Sequence, residues 1–382
     1  MRAYKFRISP NKQQSKALEE MLFACFKLYN TAVEHRREAY RIAKKSVSLY
    51  DQINQLPEIK EGFPEFYNVH SQVLQNVLQR VDLAFKGFFR RVKISKDKCG
   101  FPRYKSLDRY DSFCFIQSGF KITGKHVCLS KIGNVKIKLH RSVPDGSKIK
   151  TCTVKREGKI WFVVFACEIQ NSIPEKKTVT NAIGIDLGLT DFVVLSNGEA
   201  ISNPKYLKKS EEKLKEVQSK YSKGKSKKCK RQLTNLHYKI ANQRKDFQHK
   251  LSRKLVNSFD LIAYEDLKVK QMIEDNKYNL QKHIHDASWG QFISMLKYKA
   301  EDAGTYIIAV NPKGTTQKCS CCGAIVAKTI SERSHKCLTC GFESTRDHNA
   351  ALNIKKSGID LVDNSVCTNF VHPFLFTEAN VL

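Results

Sequence analysis

Acidic residues are scarce in this chain of 382 residues: 37 Asp and Glu stand against 67 Lys and Arg, a formal charge of +30. A surface so short of carboxylates has a polyphosphate, DNA or RNA, as its simplest partner, because cations that neutralise phosphates release condensed counterions. A membrane surface is the weaker alternative. Long apolar runs are missing as well. The longest, WFVVFAC from Trp161 to Cys167, falls far short of the roughly 20 residues of a spanning helix and reads as a buried strand. Met1 to Pro10 (MRAYKFRISP) carries no apolar leader, which places the chain in a reducing compartment and makes disulfides unexpected. Internal repeats and low-complexity tracts are absent. What remains is a globular composition, 41% apolar, long enough for two to three domains.

The pattern changes character along the chain. AYKFRI at 3–8 alternates with period two and predicts a strand, and Leu18, Met21, Leu22, Cys25, Phe26 and Tyr29 recur at three- and four-residue steps, predicting an amphipathic helix over 12–42. A second helix is expected over 71–92. After the basic, aromatic turn GFPRYKS at 100–106, short strand-like stretches separated by glycine turns predict an all-β unit of barrel type, which the first strand joins. The helical block is then an insertion in a β domain. NSIPEKKTVTN at 171–181 reads as a linker, and AIGIDLGLTDFVVLSNGEAI as a hairpin of two strands. Residues 205–257 are helical with a break at YSKGKSKK, and 205–231 hold twelve Lys or Arg against three acids, a solvated face in most proteins and a phosphate-facing surface in one of this charge. Strands at 259–267 and in TYIIAVNP, with a helix at 286–303 between them, complete the reading.

Four of the thirteen cysteines form two C-x-x-C pairs. Cys319, Cys322, Cys337 and Cys340 are spaced to hold a tetrahedral Zn²⁺, and Gly323 and Gly341 after each closing cysteine let the backbone turn its amides toward the sulfurs. With four ligands the site is structural, with no open position for water. Cys321 and His335 are neighbours that compete on paper, but the spacing favours Cys322 and Cys337. The other cysteines have no ligand spacing and are expected to pack as small hydrophobes.

Two carboxylates sit inside apolar strands: Asp186 in AIGIDLGLTD and Glu265 in LIAYEDL. A charge there costs several kcal/mol unless a cation compensates it, although each alone also reads as a strand end facing solvent. Their order and separation match a ribonuclease-H-like fold, whose central strands gather carboxylates. Such a site needs a third, and Asp347 is the candidate. Three carboxylates and a substrate phosphate balance two Mg²⁺ ions about 4 Å apart, one activating water and one stabilising the leaving oxygen. Ser344-x-x-Asp347 also resembles a helix cap, so both roles are carried forward. I-G-I-D-L-G-x-T opens the phosphate hairpins of actin-like and sugar-kinase ATPases too, but no second phosphate loop or adenosine loop accompanies it.

Taken in order, AYKFRISPNKQQ, GFPRYKS, GIDLGLTDFVVLSNG, NQRKDFQHKLSRKLVNSFDLIAYEDL, AVNPKGTTQKCSCCG and HKCLTCGFESTRDHNAALNI resemble the blocks of TnpB proteins of bacterial insertion sequences, over about residues 3–357. The resemblance implies an RNA-guided DNA endonuclease similar to miniature type V CRISPR effectors. It implies an α/β multidomain chain: a RuvC nuclease domain at 181–312 and 345–357 with an inserted zinc knuckle at 313–344, a wedge β-barrel at 1–10 and 96–175, and a helical recognition domain at 11–95. It further implies Asp186, Glu265 and Asp347 as catalytic Mg²⁺ ligands, a guide RNA from the transposon end, and a double-stranded target beside a short motif. A monomeric ribonucleoprotein in the cytoplasm, at the nucleoid, fits that scheme. Arg103, Lys105, Lys225, Lys227 and Lys228 are candidate nucleic-acid contacts, and Gln72 and Gln75, with Gln79, candidate base readers or plain surface glutamines. Guided binding without cleavage and a transposase accessory role are the alternatives. The tail from Gly358 to Leu382 is more apolar than the family would have it, a frameshift remnant or a packed extension.

Overall fold

The computed structural model describes residues 1–94, 99–143, 146–169, 174–275, 281–329 and 332–367. The expected boundary at 95–96, the first residues of the linker and 368–382 of the tail lie outside them. The chain divides into two compact units, Met1–Asn171 and Ser172–Leu382. Among the described residues no helix is long and apolar enough to cross a membrane.

In the first unit, strand β1 (Arg2–Ser9) is followed by helices α1 (Lys12–Ala43), α2 (Leu49–Asn54) and α3 (Leu56–Gly62), a 3₁₀ turn (Pro64–Asn68) and α4 (Ser71–Ile94). Strands β2 (Ser112–Phe115), β3 (Phe120–Thr123), β4 (His126–Leu129), β5 (Gly133–Lys138), β6 (Lys148–Glu157) and β7 (Ile160–Glu168) then build an antiparallel sheet of order β2-β6-β7-β1-β5-β4-β3. The period-two pattern of β1 buries Tyr4, Phe6 and Ile8 and sets them opposite Phe165, Val163 and Trp161 of β7. Phe165 meets both Phe6, 6.0 Å away between ring centres, and Phe120 of the far edge strand, at 6.2 Å. The sheet is therefore rolled until its edge returns to its middle. Helices and sheet share one core, into which Cys25, Cys152 and Cys167 pack as apolar groups; burial pushes the Cys25 thiol up to about 12.

One polar cluster lies between the helices. Arg36 donates to Gln52 Oε1 (2.8 Å) and Asp82 Oδ1 (3.0 Å), and the side chains of this ion pair are only 7% and 14% exposed. Burial alone would raise the Asp82 carboxyl, but hydrogen bonds from Lys86 and Arg36 outweigh it and hold the group below its ordinary value. Removing one partner strands a buried charge. Asp82→Ala is expected to cost about 3–5 kcal/mol at neutral pH in urea unfolding. Because the folded carboxyl titrates lower than the unfolded one, the contribution is complete above the unfolded pKa near 4 and disappears as pH falls through the folded value. A variant as stable as the wild type at pH 7 would contradict this.

The second unit holds β8 (Ala182–Leu187), β9 (Asp191–Leu195), β10 (Ala200–Ser202), α5 (Tyr206–Lys209), α6 (Glu211–Gly224), α7 (Lys227–Ser258), β11 (Leu261–Glu265), α8 (Val269–Asp275), α9 (Gln281–Ala287), α10 (Trp289–Ala303), β12 (Tyr306–Val310), β13 (Ser334–Lys336), β14 (Glu343–Thr345) and α11 (Arg346–Cys367). The glycine-rich segment expected to be a two-stranded hairpin has a third strand, β10. Sheet order is β10-β9-β8-β11-β12, with β8, β11 and β12 parallel and β9 and β10 antiparallel. The central strands are covered on both faces, so they read as continuous apolar runs. Ile183, Ile185, Ile262 and Tyr264 face Leu251 and Leu255 of α7 and Phe292 and Leu296 of α10. Ala182, Leu261 and Ala263 face Ile354 and Val362 of α11. The last helix thus runs past the expected boundary at 357, and the described start of the tail is a packed extension of it.

Candidate active site

Parity along the two central strands decides which face each carboxylate takes. The last registered pair of β8 and β11 is Ile185 with Tyr264, so Asp186 and Glu265, the next residues, are lateral neighbours on strands about 4.8 Å apart. Both share the face of Gly184 and Ala263, the face that α11 covers. That helix lies unusually close. A Cβ on Gly184 would fall 2.1 Å from the Ala351 carbonyl oxygen and 2.5 Å from the Lys355 nitrogen, and a Cβ on Gly358 would fall 2.4 Å from that of Ala263. Glycine at both crossings lets backbone rest on sheet. Asp347, second residue of α11, stands one turn before Ala351 and comes close enough for its charge to act on Asp186.

Asp186 feels both of the other carboxylates. Burial, then the negative charges of Glu265 and Asp347, push the Asp186 carboxyl well above its ordinary value, against a smaller pull from Arg346 and the Leu187 amide. Burial also raises Glu265, which accepts a hydrogen bond from the Thr315 hydroxyl. Asp347 is paired with Arg346 Nε at 3.1 Å and Arg333 at 3.6 Å. It does not cap its helix: Thr345 Oγ1 accepts from the His348 amide at 3.2 Å, and Ser344 bonds the His348 ring instead. The capping role read for Ser344 and Asp347 therefore belongs to Thr345, and the Asp347 carboxylate is held by the two arginines instead. A half-buried set of carboxylates in which two repel the third fits divalent cations.

The cysteines meet a stricter test. Sulfurs of Cys319, Cys322, Cys337 and Cys340 all lie within 4.8 Å of one another, the only set of three or more metal-binding side chains so gathered among the described residues; the carboxylates are spaced more loosely. Cys319 and Cys340 are 3.8 Å apart and Cys322 and Cys337 3.6 Å, matching the edge of about 3.8 Å of a tetrahedron with bonds near 2.3 Å. Each pair is built alike. The Cys319 amide donates to the Ala324 carbonyl and that of Gly323 to Cys319, and the same bonds join Cys337 with Phe342 and Gly341 with Cys337, all at 2.8–2.9 Å. Gly323 and Gly341 sit at φ +80 and +73, where a side chain is strained. Amides of Cys340 and Thr339 hold the Cys337 thiol down to about 6. Zinc fits. His335 is buried beside Lys328 and Cys321 is exposed, outside the set. Metal analysis is expected to find zinc lost from Cys337→Ser and retained in Cys321→Ser; the reverse pattern would refute this ligand set.

Sequence reasoning missed what seats this module. Asn349 and Asn353, one turn apart on α11, hold the segment before Cys319: Asn349 Nδ2 donates to Lys318 O (2.9 Å), and Asn353 Nδ2 to Lys318 O (2.7 Å) and Thr315 O (2.8 Å). Two amides in the otherwise apolar run NAALNI were the available signal. The candidate nucleic-acid residues are dispersed. Lys225, Lys227 and Lys228 are exposed at the tip of the α6–α7 pair. Arg103 is exposed, while the Lys105 ammonium lies over the Tyr29 ring at 4.7 Å. Gln72 Oε1 accepts from the amides of Gln117 and Ser118, so that oxygen is committed to a loop; Gln75 and Gln79 are half-buried.

Three family models match stretches of this chain. A model of a "Probable transposase" family, OrfB of IS605, matches residues 164–276, one of the Cas12f1-like TNB domain matches 289–354, and a helix-turn-helix domain model matches 1–45, where this chain has one strand and one long helix. The class is that of insertion-sequence OrfB proteins bearing a Cas12f-like cysteine module. A Streptomyces pristinaespiralis protein named "Putative RNA-guided DNA endonuclease" is 33% identical over 97% of this chain and 92% of its own length. InsQ of Escherichia coli K12, with the same description, is 27% identical over 94% and 92%. A mimivirus TnpB-like protein, L79, is 32% identical over 47% of this chain and 38% of its own. The chain belongs to the TnpB family.

Proposed function

We propose that the chain is an RNA-guided, metal-dependent DNA endonuclease of an insertion sequence, cutting beside a short adjacent motif, with a ribonuclease-H-like RuvC nuclease in its second unit. The observation that carries this reading is the convergence of Asp186, Glu265 and Asp347 from two parallel strands and one helix start in a chain of charge +30. The names of the full-length relatives support it. Two Mg²⁺ ions, when bound, supply an activated water and a sink for charge on the leaving oxygen. Asp186 and Glu265 hold them from the sheet, and Asp347 from α11. The sulfur cluster carries structural Zn²⁺. The rolled sheet of the first unit acts as the wedge and its helices as the recognition element, with Arg103, Lys225, Lys227 and Lys228 on phosphates and Gln75 toward bases, while Lys105, over Tyr29, and Gln72, bound to the 117–118 amides, keep structural roles. The guide RNA comes from the transposon end, and one copy of the chain assembles with it in the cytoplasm, at the nucleoid.

Guided binding without cutting is the rival, and presence of all three carboxylates disfavours it. The test is to purify the protein with co-expressed transposon-end RNA and add Mg²⁺ and a duplex matching the guide. Cleavage that needs the guide and is lost in Asp186→Ala is expected. Cutting that survives Asp186→Ala, or binding without any cutting, would overturn the proposal.

A further inference from the structure

Between the two metal-binding clusters runs one short segment, 312–320, which leaves β12 and enters the first cysteine pair. Its outer side is held by α11. Besides the three bonds from Asn349 and Asn353 given above, Asn349 Oδ1 accepts from the Ser320 amide at 2.9 Å. Both asparagines are buried, 0% and 9% exposed, which limits competition from water for these bonds. The inner side of the segment carries Thr315, 8% exposed, whose hydroxyl contacts both Glu265 and the Pro312 carbonyl (3.1 Å). A hydroxyl has one proton to donate, and the closer acceptor, the carboxylate, takes it.

From Ser320, next to Cys319 in the chain, these bonds run through Asn349, Lys318, Asn353 and Thr315 to Glu265. We propose that Thr315, Asn349 and Asn353 are positioning residues that couple the cysteine cluster to the carboxylate site, so that zinc occupancy sets how tightly the carboxylates bind a divalent cation. The inference rests on the reading of Glu265 as a cation ligand. Its physical basis is that a carboxylate on a strand end keeps two free torsions unless a neighbour fixes it, and groups that orient metal ligands change affinity by about 10–100-fold when removed. Zinc would hold the segment's far end, and the asparagines its middle. Losing either frees Thr315.

The test measures Mn²⁺ binding to the full-length, nucleic-acid-free chain by electron paramagnetic resonance, with zinc content followed in parallel. The relevant sites are those that Asp186→Ala abolishes. Thr315→Val, which keeps shape and removes the hydroxyl, is expected to weaken them roughly tenfold with zinc content unchanged, and Thr315→Ser to stay within about twofold. Chelating the zinc is expected to weaken Mn²⁺ binding in the wild type by a similar factor, and to add little in Thr315→Val, since the coupling is already cut. Asn353→Leu provides a second break in the chain away from both clusters. If Thr315→Val and zinc-free protein bind Mn²⁺ as the wild type does while Asp186→Ala abolishes binding, the coupling is wrong and the nuclease reading stands. If the wild type has no Mn²⁺ site sensitive to Asp186→Ala, both fall.

Discussion

Asp186→Asn is expected to stabilise the metal-free protein while reducing guided DNA cleavage by at least about a thousandfold. The two effects have one cause. Without a cation, Asp186 is half-buried against the charges of Glu265 and Asp347, and both desolvation and repulsion penalise its ionised form. The amide keeps the shape and removes the charge, a gain of about 0.5–2 kcal/mol of the kind seen when a strained functional site is relaxed. With Mg²⁺ present the order reverses, because only the wild type has the full set of ligands and a bound ion stabilises the folded state by mass action. Thermal melts of wild type and variant, with chelator and with Mg²⁺, check the crossing; cleavage of a matched duplex checks the rate. A variant less stable than wild type in chelator would mean that Asp186 is held by cationic or hydrogen-bonding partners strong enough to offset its neighbours. Cleavage at the wild-type rate would remove it from the chemistry altogether.

Much of the site was readable because its components break local rules. An acid inside AIGIDL or LIAYE is costly in any fold, and four cysteines with repeated spacing have few uses other than a metal. Long amphipathic helices were readable for the opposite reason, since α1 and α4 follow a regular period over many turns. What escaped includes very short pieces. Strand β3, FKIT, alternates but has only four residues and is held by β4 just after it; β10 has three and depends on β9. Strands so short are selected by the sheet they join, not by their own propensity. The expected cap at Ser344 failed for a local reason: Thr345 sits one residue nearer the helix and takes the His348 amide, while Ser344 turns to the His348 ring. Asn349, Asn353 and Thr315 were invisible because a buried amide or hydroxyl has meaning only through its acceptors, here the Thr315 and Lys318 carbonyls for the asparagines and the Glu265 carboxylate for Thr315. The tail looked foreign for want of the same information: Gly358 and Val362 complete a helix face against β11.

Gly358 gives the sharpest test of how α11 carries Asp347, because two physical effects predict opposite signs. In an exposed helix, Gly→Ala stabilises by about 1 kcal/mol through propensity. Here the added methyl would lie 2.4 Å from the Ala263 Cβ on β11, a distance that requires the helix to lift. Overpacking of this kind costs about 1–3 kcal/mol, so Gly358→Ala is expected to destabilise. Gly184→Ala should be worse, since its new methyl meets backbone atoms of Ala351 and Lys355, which cannot rotate away. A loss of about 3 kcal/mol or more corresponds to a melting temperature lower by roughly 6–12 °C for a unit of this size, with Asp347 displaced and cleavage falling alongside. For Gly358 the clash has a specific remedy. Ala263→Gly deletes the opposing methyl and leaves only ordinary contacts, to the Ala263 Cα and Leu261 Cδ2 at 3.6 Å. Alone it should destabilise by about 1 kcal/mol, as glycine does inside a strand. Combined with Gly358→Ala it should be more stable than Gly358→Ala by itself, and should restore cleavage lost through the displaced carboxylate. Additive losses in the double variant would show that the helix is not seated on β11 through this contact, and that Asp347 reaches its neighbours by some other support.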